Sequence, residues 1–163
     1  MDAGLSLRNK LLTSDSCFFE AGITADYGDE TYTFAMGCEF DAHGNLSFVV
    51  QSPQTITGIV GEISAQGGKI KFDDTALAFP LLADGQLSPV SAPWIFMKTL
   101  RSGFITSAGM DNGMTRLIID ETYEEKTLTI HVWLNEDNIP LQGDVYWNGR
   151  RILTVEVANF RIV

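Results

Sequence analysis

The chain has 163 residues, 21 of them acidic and 11 basic, with a net charge of −10 and 45% hydrophobic residues. This length suits a single domain, 1–163, with one core, and the apolar content excludes intrinsic disorder. Cations are nowhere more clustered than in the pair Arg150 and Arg151, so we expect no nucleic-acid partner. No GxGxxG or P-loop motif is present, and we expect no cofactor.

A helix followed by two strands is predicted at the start of the chain. Residues 5–12 place four leucines near one side of a short helix, and apolar residues then alternate along 17–24 and 32–40. A turn centred between positions 27 and 28 would place Cys17 opposite Cys38, within reach of a disulfide in an exported protein. A register shifted by two would keep the apolar faces together but separate the cysteines, so both registers stay open.

The alternation of strands and turns continues along the chain. Turns at 43–45, 67–68 and 111–113 precede the segments LSFVVQSP, KIKFDD and MTRLIIDETY. Three closing strands follow, TLTIHVWL, LQGDVYW and RRILTVEVANFRI, and the Asn148-Gly149 dipeptide predicts a two-residue hairpin turn between the last two. We therefore predict a mainly β fold with some α, either a curved antiparallel sheet or a half-open β-barrel.

Residues 76–103 break this pattern. Pro89 and Pro93 exclude a central strand, and the segment after them, WIFMKTL, predicts a short helix that is apolar around most of its circumference. Such a helix must be covered on more than one side. We therefore expect residues 93–102 to form a lid helix against the concave face of the sheet.

Residues that could support catalysis do not converge. The acidic pairs, such as Asp120 with Glu121, are consecutive and lie at strand ends or turns, where they are typical of solvated positions. His43 and His131 are expected at the surface, and the two cysteines lie on an apolar strand face and not in metal-ligand spacing. A GxSxG nucleophile motif is absent. We predict a protein that is not an enzyme and has no metal site.

The apolar inventory is large, with ten Phe, three Trp, four Tyr and five Met. These side chains either fill an ordinary core or line a space that a strongly curved sheet leaves open for an apolar ligand. Under the second hypothesis the candidate ligand-binding residues are Phe34, Met36, Phe48, Trp94, Phe96, Met97 and Leu100.

The order of elements resembles the LolA/LolB-like superfamily of outer-membrane lipoprotein carriers. The segment TLTIHVWLNEDNIPLQGDVYWNGRRILTVEVANFRI is similar to the closing hairpins of that superfamily, and CFFEAGITADYGDETYTFAMGCEF resembles its first hairpin. The resemblance implies a half-open barrel that carries an acyl chain, a lipid or a lipoprotein lipid. It also implies an alternative, in which the same fold recognises a protein partner or acts as a sensory module without a small ligand.

More narrowly, the sequence looks like small LolA-like surface lipoproteins of Gram-positive bacteria. That likeness implies an extracytoplasmic protein held at the membrane through a lipidated cysteine. The first residues, MDAGLSLRNK, lack the apolar part of a signal peptide, and neither Cys17 nor Cys38 lies in a lipobox, so the anchor would have to lie upstream. Arg101, beside the apolar helix, is either the counterpart of the arginine that couples lid opening to lipid binding in the carriers or a surface cation at the helix C-terminus, and the second interpretation is favoured.

Overall fold

The computed structural model describes residues 2–64, 81–85 and 87–163, in which two α-helices flank and interrupt a run of β-strands. Helix α1 spans Asp2–Thr13 and helix α2 spans Ala92–Ser102, the latter after a 3₁₀ turn at Pro89–Ser91. A second 3₁₀ turn covers Gln54–Ile56. The strands are β1 Ser16–Asp26, β2 Thr31–Asp41, β3 Leu46–Ser52, β4 Val60–Ile63, β5 Phe104–Asp111, β6 Met114–Asp120, β7 Thr129–Leu134, β8 Pro140–Trp147 and β9 Arg150–Ile162.

All nine strands belong to one antiparallel sheet in the order β4-β3-β2-β1-β9-β8-β7-β6-β5. Strands β1 and β9 pair at its centre, and among the described strands β4 and β5 lie at its two ends. These two strands do not pair with each other, so the sheet formed by the described residues is not closed. The predicted mainly β fold, its N-terminal helix and its short second helix are confirmed. The predicted strand KIKFDD lies outside the described residues.

The sheet curves around α2. This helix contacts β2, β9 and β6, and β2 and β6 are five strand positions apart in the sheet. In a flat sheet those two strands would be separated by about 24 Å, at ~4.8 Å for each strand spacing. A helix is only about 10 Å across, so it touches both strands because the sheet wraps around it. The concave face and α2 therefore enclose the core.

Burial alternates along the strands as a one-sided sheet requires. Along β2, for example, Phe34, Met36, Cys38 and Phe40 are buried, while the residues between them are half-buried or exposed. Successive side chains of a strand point to opposite faces, so these four point to the concave side. The residues that alternate with them, Thr33, Ala35, Gly37 and Glu39, form part of an outer face that α2 does not cover.

Helix α1 is fixed to the end of α2. Leu7 and Leu11 are buried, and Arg8 reaches the last turn of α2. The Arg8 Nε donates to the Leu100 carbonyl at 2.8 Å, and its Nη2 donates to the Gly103 carbonyl at 2.8 Å. The last carbonyls of a helix have no partner within the helix, so Arg8 supplies the missing donors and places a positive charge where the helix dipole favours one.

The β1–β2 register differs by two residues from the one that opposed the cysteines. Cys17 lies opposite Phe40, and Phe19 lies opposite Cys38. The reason is the turn, in which the Tyr27 N–H donates to the Glu30 carbonyl at 2.9 Å and Gly28 has a φ of +95°. The tight turn is thus centred after Gly28, because glycine accepts a positive φ without steric cost. The register that opposed the two cysteines is therefore wrong, and both are free thiols in the structure, while a disulfide between them in an exported protein stays a prediction.

Both thiols are buried, and this predicts low reactivity in the folded protein. Burial raises the pKa of Cys17 to about 12 and also raises the pKa of Cys38. Since the thiolate is the reactive form, we expect a disulfide-exchange reagent at neutral pH to modify neither cysteine in the native protein and both in urea. Rapid modification of one thiol in the native state, or no free thiol in urea, would contradict this assignment.

Candidate functional site

Helix α2 fills the concave face of the sheet, as the sequence predicted. It begins after Ser91, with Pro93 in its first turn, where the missing proline N–H costs no helical hydrogen bond. Its side chains Ile95, Phe96 and Met97 are all at most 4% exposed. The predicted lid helix is confirmed as a helix that buries most of its circumference.

The seven predicted ligand-binding residues lie close together, but six of them are buried in the core. Trp94 is the exception, since it is only partly buried. Its indole Nε1 donates to the Gly44 carbonyl at 3.0 Å, which fixes the ring at the edge of the concavity. The other six belong to one buried cluster, namely Phe34, Met36, Phe48, Phe96, Met97 and Leu100.

The packing under α2 is tight at Gly143 of β8. A Cβ placed on Gly143 would lie 2.5 Å from Cε2 of Phe96, closer than real Cβ atoms approach a neighbour. The Phe96 ring therefore rests directly on the backbone of β8. Because the ring is fully buried, this part of the concavity has no room for a ligand beside the protein's own side chains.

Open space remains at one end of the concavity. A cavity of about 470 Å³, here called the mouth cavity, lies between α2, the β6–β7 connection, the end of β4 and the segment around Ala83 and Leu87. Its volume falls within the range of small-molecule sites, roughly 300–1,000 Å³. Half of its 14 lining residues are apolar, namely Ile63, Ala83, Leu87, Trp94, Ile95, Leu128 and Trp147. The other half are polar or charged, namely Ser91, Lys98, Glu121, Thr122, Glu124, Lys126 and Thr127.

The rim of the mouth cavity is charged. Lys98 donates to the Glu121 carboxylate at 3.1 Å, and its ammonium group lies 5.1 Å from the centre of the Trp94 ring. The opposite wall is held by Trp147, whose Nε1 donates to the Asp84 carboxylate at 3.1 Å. An apolar wall with a polar rim suits a ligand that buries a hydrocarbon part and leaves a polar end near solvent.

Sequence reasoning missed most of this cavity. Leu87, Leu128 and Trp147 were not singled out, and they lie on three segments that are far apart in the chain. Their convergence depends on how the sheet curves, which strand alternation does not encode. Arg101, in contrast, lies on the other side of α2, where it donates to the Ala42 carbonyl at 3.0 Å and its guanidinium lies 5.4 Å from the Phe40 ring centre.

A larger depression lies on the opposite face of the sheet. This outer groove, of about 740 Å³, crosses β9, β1, β2, β3 and β4. Its apolar floor includes Val49 and Val60, which are 39% and 63% exposed. Its other outward lining residues include the acidic side chains of Glu20, Glu39 and Glu62. The sequence analysis did not predict this groove. The signal that could have indicated it is an apolar residue at an outward strand position, namely Val49 on β3 and Val60 on β4.

Neither a metal-binding cluster nor a membrane-spanning helix is found among the described residues. Within residues 2–64, 81–85 and 87–163, no group of three or more His, Cys, Asp or Glu side chains could hold a metal ion. Across the same part of the chain, no helix has the length and apolar character needed to cross a membrane.

Comparison with known proteins places the fold. No protein-family model matches the sequence, and no curated protein matches it. A conserved protein from Thermus thermophilus is 9% identical, with a TM-score of 0.51, and the match covers 100% of this chain and 88% of that chain. A LolA superfamily protein from Nitrosomonas europaea is 9% identical, with a TM-score of 0.44 and coverage of 98% and 93%.

The MucA/MucB complex of Pseudomonas aeruginosa is a third match, 13% identical with a TM-score of 0.44. That match covers 99% of this chain and 57% of the solved chain, so this chain spans little more than half of its length. At such low identity the likeness concerns fold and not function. The Thermus thermophilus match thus shows that this chain adopts a known fold, and a LolA superfamily protein is among the structures to which it is similar.

Proposed function

We propose that this domain is a non-catalytic, extracytoplasmic binding protein that holds an acyl chain or a lipid in the mouth cavity. The observation that carries the proposal is the cavity itself, a space of about 470 Å³ with an apolar wall and a polar rim, which lies at the open end of a concave sheet beside the helix α2. The sequence resemblance to the lipoprotein carriers implies the same role. Attachment to a membrane through a lipidated cysteine upstream of this chain belongs to the same proposal.

The tight packing beneath α2 restricts the ligand to the mouth cavity. Phe96 and Met97 are fully buried between α2 and the sheet, so entry of a ligand beneath them would require α2 to move. The mouth cavity needs no such movement. Among the predicted ligand-binding residues, Trp94 is therefore the one that we propose as a direct contact, with Ile63, Leu87 and Leu128 as additional apolar contacts.

The hydrocarbon part of the ligand should control affinity. We expect dansyl-labelled fatty acids of increasing chain length to bind more tightly, by up to about fourfold for each buried methylene, or ~0.8 kcal/mol. The measurement is a fluorescence titration. Replacing Ser91, a half-buried residue of the cavity wall, by Trp should weaken binding because the indole fills part of the space.

A matched control shows whether Ser91→Trp weakens binding by filling the mouth cavity or only because an indole has been added to the protein. Ser107→Trp introduces the same side chain at an exposed position of β5 that does not line the cavity, and it should leave the affinity unchanged. If affinity did not depend on chain length, or if Ser91→Trp bound as well as the parent protein, a ligand in the mouth cavity would be ruled out.

A second candidate function rests on the outer groove. Val49 and Val60 lie exposed on its floor, and the groove is also lined by three acidic residues, Glu20, Glu39 and Glu62, and by one cation, Arg161, so its net charge is negative. Such a surface favours a protein partner whose segment combines apolar and basic side chains. Native mass spectrometry of protein purified from a bacterial host separates the two functions, since copurified lipid favours the first and a bare chain favours the second.

A further inference from the structure

The outer face of the sheet carries a second, chemically different depression at the β5–β6 turn. Its volume is about 370 Å³, and it lies on the strands β7 and β8 beside that turn. Its lining combines one indole with four side chains that carry carboxylate or amide groups. The lining residues are Asp111, Asn112, Met114, Trp133, Leu141, Gln142 and Asp144.

The indole of Trp133 lies along the surface of the sheet. Trp133 is on β7, and its Nε1 donates at 2.9 Å to the carboxylate of Asp111, at the end of β5. Strand β6 lies between those two strands, so the indole must extend across β6 to reach its partner. Trp133 is only partly buried and lines the depression, whereas Arg116, whose guanidinium lies over the ring, does not line it.

Hydrogen-bonding groups with fixed positions border the ring. Gln142 lies directly opposite Trp133 in the β7–β8 register, and its Nε2 donates to the Asp144 carboxylate at 3.0 Å. The Asp144 side chain is only 5% exposed and also lies 3.6 Å from the Arg151 guanidinium. These contacts hold the amide and the carboxylate in place, while each retains unused donor or acceptor capacity.

The charges around the ring disfavour an ionic ligand stacked on it. The guanidinium of Arg116 lies 5.7 Å from the centre of the Trp133 ring, so a cationic ligand stacked there would meet a like charge. Asp111 and Asp144 would in turn repel an anionic ligand. A neutral molecule with one apolar face and several hydroxyl groups at its edge satisfies the ring, the carboxylates and the amides together.

A nearby histidine keeps Arg116 in this position. The Nη2 of Arg116 lies 2.7 Å from the Nδ1 of His131, and burial and the positive charge of Arg116 lower the pKa of His131. Neutral His131 can accept that hydrogen bond. On its other side, its ring lies 4.6 Å from the ring of Tyr146. The Arg116 cation at Trp133 is therefore held in place by a hydrogen bond within the sheet.

We propose that this depression binds a neutral carbohydrate, with one face of a pyranose ring stacked on Trp133 and its hydroxyl groups bonded to Gln142 and Asp144. The site is separate from the mouth cavity, which lies among the residues of α2 and the concave face. The carbohydrate proposal therefore does not depend on lipid binding in the mouth cavity.

The test is a titration of the full chain with neutral oligosaccharides, followed by NMR of the three tryptophan indole N–H signals. We use the tetraoses of glucose with α and with β linkages, of N-acetylglucosamine, of xylose and of mannose. The Trp133 signal, assigned from Trp133→Phe, should shift with at least one of them. The signals of Trp94 and Trp147 should not move.

Variants separate stacking from hydrogen bonding. Trp133→Ala should abolish binding, and Gln142→Ala should weaken it by about fivefold, the effect of one lost hydrogen bond. Trp94→Phe is the matched control and should bind the same sugar with unchanged affinity. Trp133→Phe, which keeps an aromatic ring, should remain folded by circular dichroism and bind the dansyl fatty acids as the parent does. The proposal is overturned if none of the tetraoses shifts the Trp133 signal, or if Trp133→Ala binds as well as the parent.

Discussion

Replacing Phe96 by Asp should unfold the domain. The Phe96 side chain is fully buried between α2 and the sheet, so the change empties a large site and places a charge without a partner in it. Loss of the ring alone costs about 3–5 kcal/mol, and the unpaired buried charge adds several more. Small domains are stable by only about 5–15 kcal/mol. Circular dichroism and urea denaturation would show the loss of cooperative unfolding.

The matched control for this variant is Met110→Asp. Met110 lies on the edge strand β5 with 73% of its surface exposed, so a charge there stays in water. Its effect on the free energy of unfolding should stay within about 0.5 kcal/mol. If Phe96→Asp unfolded at the same urea concentration as Met110→Asp, α2 would not occupy the concave core as described.

Much of the sheet could be predicted from the sequence because one of its faces is buried and the other is not. Along β1 and β2 the alternation of apolar residues matches the alternation of burial. The strand β5 lacks this signal, since all eight of its residues are half-buried or exposed and its sequence, FITSAGMD, does not alternate. Edge strands have fewer neighbours to bury them, so their pattern is weaker.

The register and the site could not be predicted in the same way. A shift of two residues keeps every side chain on its face, so alternation alone could not choose between opposing Cys17 to Cys38 and opposing it to Phe40. The turn conformation of Gly28 made that choice. Likewise, apolar content predicts burial but not whether the buried residues leave a space. Phe34 and Trp94 appeared equivalent in the sequence, yet only Trp94 lines the mouth cavity.

A second large loss of stability is expected when Gly143 is replaced by Ala. A methyl group added there would lie 2.5 Å from the Phe96 ring, and that ring has no solvent into which it could move. Gly143→Ala should therefore destabilise the domain by about 1–3 kcal/mol through overpacking. The control is Gly109→Ala on β5, where an added Cβ would have no neighbour within 4 Å. That variant should be neutral or slightly stabilising, because alanine restricts the unfolded chain.

A double-mutant cycle tests whether Phe96 is the cause. If the added methyl group of Gly143→Ala is harmful because of the ring, then Phe96→Leu, which removes ring atoms, should relieve part of the strain. The double variant should be more stable than the sum of the two single effects predicts, by about 1 kcal/mol, as is usual for residues in contact. Urea denaturation of the four proteins measures this difference. Purely additive effects would mean that Phe96 does not rest on β8, and the concavity beneath α2 would then have room for a ligand.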